Sequence, residues 1–309
     1  FEAHGIEAAV VAHLQPGTNA LELWCEAGHR LSGDLNLSHP ELLQAGSQVP
    51  AARTGRVALD HELAVESLKW RMSQFMHGEQ GALICTAKIV ETVPWIDAKY
   101  YAATQVMDEA RHVEVFAKYL DDKLSGHYPI NAHLKMLLDD IISDPRWDMT
   151  YLGMQIMVEG LALAAFGFMY QLTEEPLLKQ LLRYVMSDEA RHVAFGVLSL
   201  KEYYAELSDA EMRERQEFAF EAAVRMRDRF LQQEVWDRMG VDKRKVTELL
   251  LQVPREEMIF QQLLFSKIVP NCKKLGLLDA ADGWLRTRFE EIGVIEFEDW
   301  ADTSDEYLA

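Results

Sequence analysis

The sequence predicts an all-α fold built around a four-helix bundle. Long segments carry apolar residues at three- and four-residue spacing, which is the period of an amphipathic helix. Alternating runs of β-branched residues, the pattern typical of strands, are scarce. The hexapeptide Asp-Glu-Ala-Arg-His-Val occurs at residues 108–113 and again at residues 188–193, an offset of 80 residues. Two of the predicted helices therefore carry the same polar face.

Helix-start and helix-stop residues set the bounds of the predicted bundle helices. Pro94 ends the first helix, and Ser125-Gly126 ends the second. A short helical stretch follows, and the third bundle helix begins after Pro145. Pro176, at a favoured first-turn position, begins the fourth. The predicted bundle helices are residues 61–93, 95–124, 147–172 and 176–207.

Further helices are predicted after the bundle. Ser208 and Glu211 form a capping box at the start of a fifth long helix, which is expected to run to about Gly240. An acidic tail at residues 296–309 is expected to fray. Shorter helices are predicted at residues 242–252, 254–275 and 279–292.

The first fifty residues interrupt every periodic segment with turn-forming residues, such as Pro16-Gly17, Gly28 and Gly33. We expect an irregular N-terminal arm at residues 1–50, with one or two short helices. A single helical domain is expected at residues 51–309, with its core bundle at about residues 61–207.

Composition limits the classes of protein to which the chain can belong. The 309 residues are 49% hydrophobic, enough for a large core, and carry a net charge of −19. This charge argues against binding to nucleic acid or to anionic membrane surfaces. We expect neither a membrane span, since no apolar run of about 18 residues is present, nor a secretion signal. Cys25, Cys85 and Cys272 are unclustered, which favours a reducing compartment, and the cytoplasm is expected.

Each copy of the repeat places a glutamate and a histidine three residues apart. On a helix, three residues turn the chain by about 300° and raise it by about 4.5 Å, so the two side chains share a face. A further glutamate stands 30 residues before each motif glutamate. The six candidate ligands and catalytic residues are Glu79, Glu109, His112, Glu159, Glu189 and His192.

Carboxylate and imidazole donors together suit iron and manganese. A glutamate from each of two helices, with Glu-x-x-His from each of two others, is the inward-facing donor set of di-iron carboxylate bundles. A single motif of this kind is typical of a solvated charged face. The duplication favours a buried site instead, as do the apolar runs beside Glu79 and Glu159, where an unpaired carboxylate is costly.

The doubled motif with its partner glutamates resembles the ribonucleotide reductase-like branch of the ferritin-like di-iron carboxylate superfamily. That branch includes multicomponent monooxygenase hydroxylases, acyl carrier protein desaturases, arylamine N-oxygenases and radical-generating reductase subunits. The resemblance spans residues 79–192 and implies a ferritin-like four-helix bundle with additional C-terminal helices. It also implies one metal at Glu79, Glu109 and His112 and a second metal at the other three ligands. Glu109 and Glu189 are the implied bridges.

The resemblance also assigns roles to four charged residues beside the ligands. Asp108 and Asp188 are expected to accept a hydrogen bond from the histidine of the opposite motif, which orients the imidazole and raises its basicity. Arg111 and Arg191 are expected to balance the negative charge of the site.

Three positions depart from the relatives. Phe116 stands where reductase subunits carry the radical tyrosine, which argues against a radical subunit. Val185 stands where arylamine N-oxygenases carry an additional histidine, which weakens that alternative without removing it. Leu163 stands where monooxygenase hydroxylases carry a threonine, so the route of protons would differ.

Apolar residues flank the ligands at helical spacing. As a stripe they fit an ordinary core at least as well as a pocket, but a pocket beside the metals has to be built from them and would be hydrophobic. Gly196 leaves room where Phe116 fills it, so we expect the open side toward the fourth helix. The candidate pocket residues are Leu83, Phe116, Leu163, Phe166, Phe195 and Gly196.

The sequence therefore predicts a non-haem di-iron enzyme, an oxygenase or an oxidase, that activates O2 and acts on a small hydrophobic organic substrate. Two alternatives remain open: an arylamine-type N-oxygenase, and a ferroxidase, iron-handling or radical-generating metal subunit. The expected cofactor is two Fe ions, with Mn/Fe as the alternative. A separate reductase or ferredoxin is the expected electron donor, and a homodimer is expected.

Overall fold

The computed structural model describes residues 10–14, 20–25, 30–36, 49–250 and 263–300. Its first elements are three strands, β1 (Val10–Leu14), β2 (Ala20–Cys25) and β3 (Arg30–Asn36). They form an antiparallel sheet in the order β1-β2-β3. In this register Val11 pairs with Trp24, and Leu21 pairs with both Leu14 and Leu35.

The prediction of an irregular arm with short helices was wrong over these strands. The turn-forming residues that break a helical pattern also connect antiparallel strands, and Pro16-Gly17 and Gly28 lie between strands in the sequence. None of the three strands alternates strictly between apolar and polar residues, so the two-residue period that marks a strand is weak in them. The rest of the predicted arm up to residue 48 lies outside the described residues.

The predicted helical bundle is confirmed. Its first helix begins well before the predicted residue 61, and the other bundle helices begin and end within about three residues of their predicted bounds. The helices are α1 (Val49–Thr92), α2 (Ile96–Leu124), the short connecting α3 (Ala132–Ser143), α4 (Trp147–Leu172) and α5 (Pro176–Tyr204).

The ends of the helices follow the capping chemistry of the sequence. Ser125 adopts the left-handed conformation at φ 56° and its backbone N–H donates to the Leu120 carbonyl, so α2 stops there. Pro176 occupies the first turn of α5, and the Glu175 side chain accepts a hydrogen bond from the Leu178 N–H. These caps fix where the bundle helices begin and end.

Helix α4 contains a wider turn directly before its glutamate. Residues Leu152–Val158 are π-helical and all are buried, whereas Glu159–Leu172 continues as α-helix. Turns of this kind are rare and occur often at functional sites. Helix α4 is long and apolar enough to cross a membrane, but 78% of its most apolar stretch is buried inside the molecule. It is the core helix of the bundle.

The C-terminal helices differ from prediction in one respect. The Ser208–Glu211 capping box is present, but α6 (Asp209–Asp228) ends before the predicted Gly240. The chain turns at Arg229–Leu231, where Phe230 packs edge-on against Trp70 at 6.2 Å between ring centroids. Tertiary packing therefore ends α6 where the sequence carries no stop signal. The later helices are α7 (Gln233–Arg238), α8 (Lys243–Leu250), α9 (Ile268–Lys274) and α10 (Trp284–Glu291).

Parts of the C-terminal prediction lie outside the described residues, namely 251–262 and 301–309. The first residues of the predicted frayed tail are ordered by packing instead. Ile295–Asp299 forms a 3-10 turn, and Phe297 is buried and contacts Trp300.

Candidate metal centre

All six candidate ligands lie in the interior of the bundle. Their exposed fractions are 5% or less, although four of them are glutamates. Helix α1 contributes one glutamate, α4 another, and α2 and α5 each contribute a glutamate and a histidine. The apolar face of each helix packs inward, so polar residues at these positions are carried into the core. The six are Glu79, Glu109, His112, Glu159, Glu189 and His192.

The donor atoms form two groups, each with all atoms within 4.8 Å of one another, as suits a metal ion. One group is Glu79, Glu109, His112 and Glu189, and the other is Glu109, Glu159 and His192. Glu109 belongs to both groups. Glu189 also faces both, because its oxygens lie 3.0 Å from His112 Nδ1 and 3.7 Å from His192 Nδ1. This geometry fits the bridging roles that the resemblance implies.

The hydrogen-bonding state of the cluster fits two bound cations. Both histidines direct Nδ1 into the cluster, and neither Nδ1 atom has a hydrogen-bond partner among the described residues. Three buried glutamate oxygens, on Glu109, Glu159 and Glu189, are also without one. Buried polar atoms in proteins are nearly always hydrogen-bonded, so lone pairs left over at one point indicate a ligand. The structure therefore has a cluster able to bind two metal ions.

Aspartates hold the outer nitrogens of the histidines. His112 Nε2 lies 3.2 Å from Asp188 Oδ2, and His192 Nε2 lies 3.4 Å from Asp108 Oδ2. Each aspartate thus contacts the histidine of the opposite motif. A carboxylate at Nε2 leaves the Nδ1 lone pair free for a metal.

Two arginines join the aspartates on the outside of the bundle. Arg111 donates to Asp108 at 2.6 Å and to Asp188 at 2.9 Å. Arg191 donates to the same two aspartates. The four charged residues therefore form one network that ties α2 to α5 across the two motifs.

Burial and contacts with neighbouring groups shift the pKa values of the cluster residues in different directions. Burial raises the pKa of Glu79 and Glu159 well above the usual range, and neighbouring glutamates add to the effect. Burial alone would also raise the pKa of Glu189, but the positive charge of the His112 and His192 imidazoles beside it lowers the pKa overall. The histidine pKa values are raised, because hydrogen bonds to carboxylates outweigh burial. Metal binding therefore has to displace protons.

Sequence reasoning missed a pair of buried glutamines beside the ligands. Gln105 Nε2 donates to Glu109 Oε1 and to Glu159 Oε1, both at 2.9 Å. Gln155, in the π-helical turn of α4, donates to Gln105 Oε1 at 3.1 Å. Each glutamine stands four residues before its glutamate, a spacing on one helical face that the sequence displays. Gln105 thus links ligands of two different helices.

The expected opening beside Gly196 is absent, which corrects the sequence-based picture. A Cβ at Gly196 would lie 2.5 Å from Gln155 Cβ, so this glycine allows α5 to approach the π-helical turn of α4. Phe116 and Phe166 are fully buried and stacked at 5.7 Å between ring centroids. Phe195 packs on Tyr101, with 3.9 Å between ring centroids. Leu163 is buried, and Leu83 is half-buried.

Two cavities lie near the cluster. The smaller, of about 20 Å³, lies between α1 and α4, and its lining includes Glu79, Glu159, Glu189 and Arg229. The larger, of about 710 Å³, is an open groove between α2 and α5 that reaches His112 and Asp188 from outside. Among the described residues, none of the four glutamates lines this groove. Of the six candidate ligands, the groove therefore reaches His112 alone.

Comparison with known proteins shows a similarity of fold. No protein-family model and no curated protein matches the sequence. A solved R2-like ligand-binding oxidase, with an aerobically reconstituted metal cofactor after photoconversion, is 16% identical, with a TM-score of 0.55 over 77% of this chain and 93% of that chain. A variant of such an oxidase with an aerobically reconstituted Mn/Fe cofactor is 16% identical over 73% and 93%, with a TM-score of 0.48. The chain thus has the ferritin-like helical fold of the R2-like ligand-binding oxidases.

Proposed function

We propose that the protein is a di-metal oxidoreductase that activates O2, as an oxygenase or an oxidase, and acts on a small hydrophobic organic substrate. The observation that carries the proposal is the convergence of six buried donors into two groups that share Glu109. A carboxylate shared between two donor groups can hold two metal ions side by side, as in the di-iron carboxylate bundles. The fold that the chain shares with an oxidase of known structure supports the same reading.

Each residue has a definable task in this function. When bound, the metal pair supplies the electrons and the Lewis acidity for the reduction of O2. Glu109 and Glu189 hold the two metal positions together, because both face both groups. His112 and His192 present Nδ1, and their Nε2 protons are held by aspartates. The apolar walls of the small cavity keep bulk water from the carboxylates.

The donor set favours iron or manganese. Carboxylate and imidazole ligands suit Fe and Mn, whereas sites rich in thiolate suit Zn or Cu(I). We propose two Fe ions as the cofactor, with Mn/Fe as the alternative. The nearest described cysteine in the sequence, Cys85, is buried, and burial raises the pKa of its thiol to about 12, so it is no competitor as a thiolate ligand.

Side chains near the site distinguish between the enzyme subtypes that the resemblance implies. Phe116 is fully buried in an aromatic cluster with Phe75 and Phe166, which opposes a radical tyrosine at that place. Val185 is buried and apolar where an arylamine N-oxygenase would carry a histidine ligand. An oxygenase or oxidase with six ligands is therefore favoured over a radical-generating subunit and over an arylamine-type N-oxygenase. A separate reductase or ferredoxin, a homodimer and a cytoplasmic location are proposed with it.

Metal analysis and O2 consumption test this function. Purified protein reconstituted with Fe(II) should hold about two ions per chain, and a chemical reductant should sustain O2 uptake. The double variant Glu109→Ala/His192→Ala should lose both properties, because it removes a shared donor and a ligand of the second group. Glu114→Ala is the matched control, since Glu114 lies on the same helix, exposed and paired with Lys118. Two ions retained in the double variant would exclude the assigned site. A single turnover with Fe(II) alone, without sustained uptake, would favour a ferroxidase.

A further inference from the structure

A chain of buried polar side chains leads away from the candidate metal ligands. Gln105, Gln155 and Tyr151 are fully buried, each at 0% exposure, although none of them is a candidate ligand. Gln155 lies between Met154 and Ile156, which are equally buried and apolar. A polar group in such surroundings costs free energy unless it is hydrogen-bonded, so packing alone would favour apolar residues at these positions. The three polar residues therefore call for a reason other than packing.

The hydrogen bonds of the two glutamines all point in one direction. Gln105 Nε2 donates to one oxygen of Glu109 and to one oxygen of Glu159, both at 2.9 Å. An ionised carboxylate only accepts hydrogen bonds, so the two ligands hold the Gln105 nitrogen toward them and its Oε1 away from them. Gln155 Nε2 donates to this Oε1 at 3.1 Å. Each amide therefore presents N–H groups on the side of the metal ligands and an acceptor oxygen on the opposite side.

Two buried polar atoms at the outer end of this chain have no hydrogen-bond partner. They are Gln155 Oε1 and the Tyr151 hydroxyl, neither of which is hydrogen-bonded to the residues that the structure describes. Tyr151 stands four residues before Gln155, about one turn away on α4. Both side chains pack against the same turn of α5, at Phe195 and Gly196 respectively. Because one atom accepts and the other donates, a single buried water molecule between them would satisfy both.

The outer end of the chain reaches α5 at Ser199. Burial raises the pKa of Tyr151, and the side chain of Ser199 beside the Tyr151 hydroxyl opposes this rise. Ser199 is half-buried, whereas Tyr151 is fully buried. A half-buried hydroxyl can exchange its proton with solvent and present a proton to a neighbour. The polar groups therefore lead from a half-buried residue to two carboxylates of the cluster.

We propose that Tyr151, Gln155 and Gln105 form a proton relay that supplies the metal site from the side of Ser199. The proposal rests on the proposed function, because the reduction of O2 consumes protons. The relay deepens that function by naming the route by which protons reach the carboxylates through an otherwise apolar core.

Protons balance at every step of the relay. The Tyr151 hydroxyl passes a proton through the bridging water to Gln155 Oε1 and takes one back from the side of Ser199. Gln155 Nε2–H gives a proton to Gln105 Oε1, and Gln105 Nε2–H gives one to a carboxylate oxygen. One proton thus enters and one leaves. Each amide then holds its proton on oxygen, and a half-turn about its Cγ–Cδ bond presents that proton to the inner side for the next transfer.

Hydrogen exchange of the glutamine side chains tests the relay without turnover. The full chain, metal-free and loaded with redox-inert Zn(II), is labelled with nitrogen-15 at glutamine, and the spectra of Gln105→Leu and Gln155→Leu assign the two side-chain signals. In D2O the Gln105 side chain should exchange faster than the backbone amides of the same turn, which report local opening of the helix. Tyr151→Phe removes only the hydroxyl and should slow this exchange by about 100-fold, the lower end of the contribution of a positioned proton donor.

Tyr204→Phe is the matched control for the exchange experiment. Tyr204 is 2% exposed, and its hydroxyl also forms no hydrogen bond with the described residues, but it lies on α5 outside the proposed relay. Its replacement should leave the exchange of both glutamine side chains unchanged. Wild-type exchange in Tyr151→Phe would overturn the relay. Equal slowing in Tyr204→Phe would overturn it as well, because the loss of any buried hydroxyl would then have the same effect.

The reaction of Fe(II)-loaded protein with O2 separates a proton relay from a structural role. The wild-type reaction should be slower in D2O than in water. Tyr151→Phe should be slower than wild type in water, with the metal content of wild type and an equal or higher melting temperature, since it removes an unpaired buried hydroxyl. A lower metal content or melting temperature in Tyr151→Phe would show a structural role and overturn the proposal. If the wild type bound no metal or consumed no O2, the proposed function would fail, and exchange in the metal-free chain would decide the relay separately.

Discussion

Replacing Gly196 with alanine should destabilise the bundle, although alanine is the better helix former. Gly196 lies inside α5 against the π-helical turn of α4. An added Cβ would lie 2.5 Å from Gln155 Cβ, 3.2 Å from Gln155 Cγ and 3.4 Å from Ile156 Cδ1. The Cβ of Gln155 is attached directly to the backbone, so relief of the contact requires α4 and α5 to move apart.

Two opposing free-energy terms decide the sign. Alanine in place of glycine in a helix interior stabilises by about 1 kcal/mol. An extra methyl group in a packed core costs about 1–3 kcal/mol, and a rigid obstacle at 2.5 Å places this site in the upper part of that range. The net loss is therefore about 1–2 kcal/mol, which lowers the melting temperature by roughly 2–6 °C.

Gly167→Ala is the matched control for this prediction. Gly167 lies inside α4, and an added Cβ there would meet Met186 Sδ at 4.0 Å, an ordinary contact. Without a clash, the helix-propensity term alone should raise the melting temperature by about 1–3 °C. Thermal denaturation of both metal-free variants, followed by circular dichroism, gives the comparison. If the two substitutions raise the melting temperature together, the close approach of α5 to Gln155 is refuted.

Three further predictions concern the cluster and its surroundings. Asp188→Asn should slow O2 consumption or weaken metal affinity by about 10- to 100-fold, because it weakens the hydrogen bond with His112 Nε2. An unchanged rate and an unchanged metal content would show that Asp188 is only a surface charge. Gln105→Leu should lower the melting temperature of the metal-free protein, because it leaves one oxygen each of Glu109 and Glu159 without a hydrogen-bond donor, at a cost of about 1–3 kcal/mol each. Gln105→Glu should differ from wild type in metal affinity. If Gln105→Leu were as stable as wild type, the bridging of Glu109 and Glu159 by Gln105 would be contradicted. Glu66→Gln should cost up to about 3 kcal/mol at neutral pH, because hydrogen bonds from Lys69, Tyr128 and Arg238 outweigh burial and lower the pKa of Glu66 to about 2. The contribution of a carboxyl with a lowered pKa is present above its unfolded value of 4.5 and lost as pH falls toward 2, so the difference in melting temperature should close over that interval; a constant difference would refute it.

Local patterns in the sequence were sufficient to predict the bundle helices and to identify the residues that cluster in the structure. Helical periodicity and caps depend on residues three or four positions apart, so the bounds of α2 and α5 follow from neighbours in the chain. The same spacing places Glu109 beside His112 and Glu189 beside His192. The three strands were missed because none of them alternates strictly between apolar and polar residues, which is the local pattern that marks a strand.

The sequence by itself determined which side chains face the interior of the bundle, since a helix fixes direction over a single turn. Only the tertiary structure decided how far apart the helices lie. That distance closes the expected opening at Gly196, brings Gln105 between ligands of two helices and leaves a cavity on the α1–α4 side. It also places Arg229 beside glutamates that precede it by 40 residues or more in the chain. Contacts between remote segments depend on the packing of whole helices, and no pattern within one helix records them.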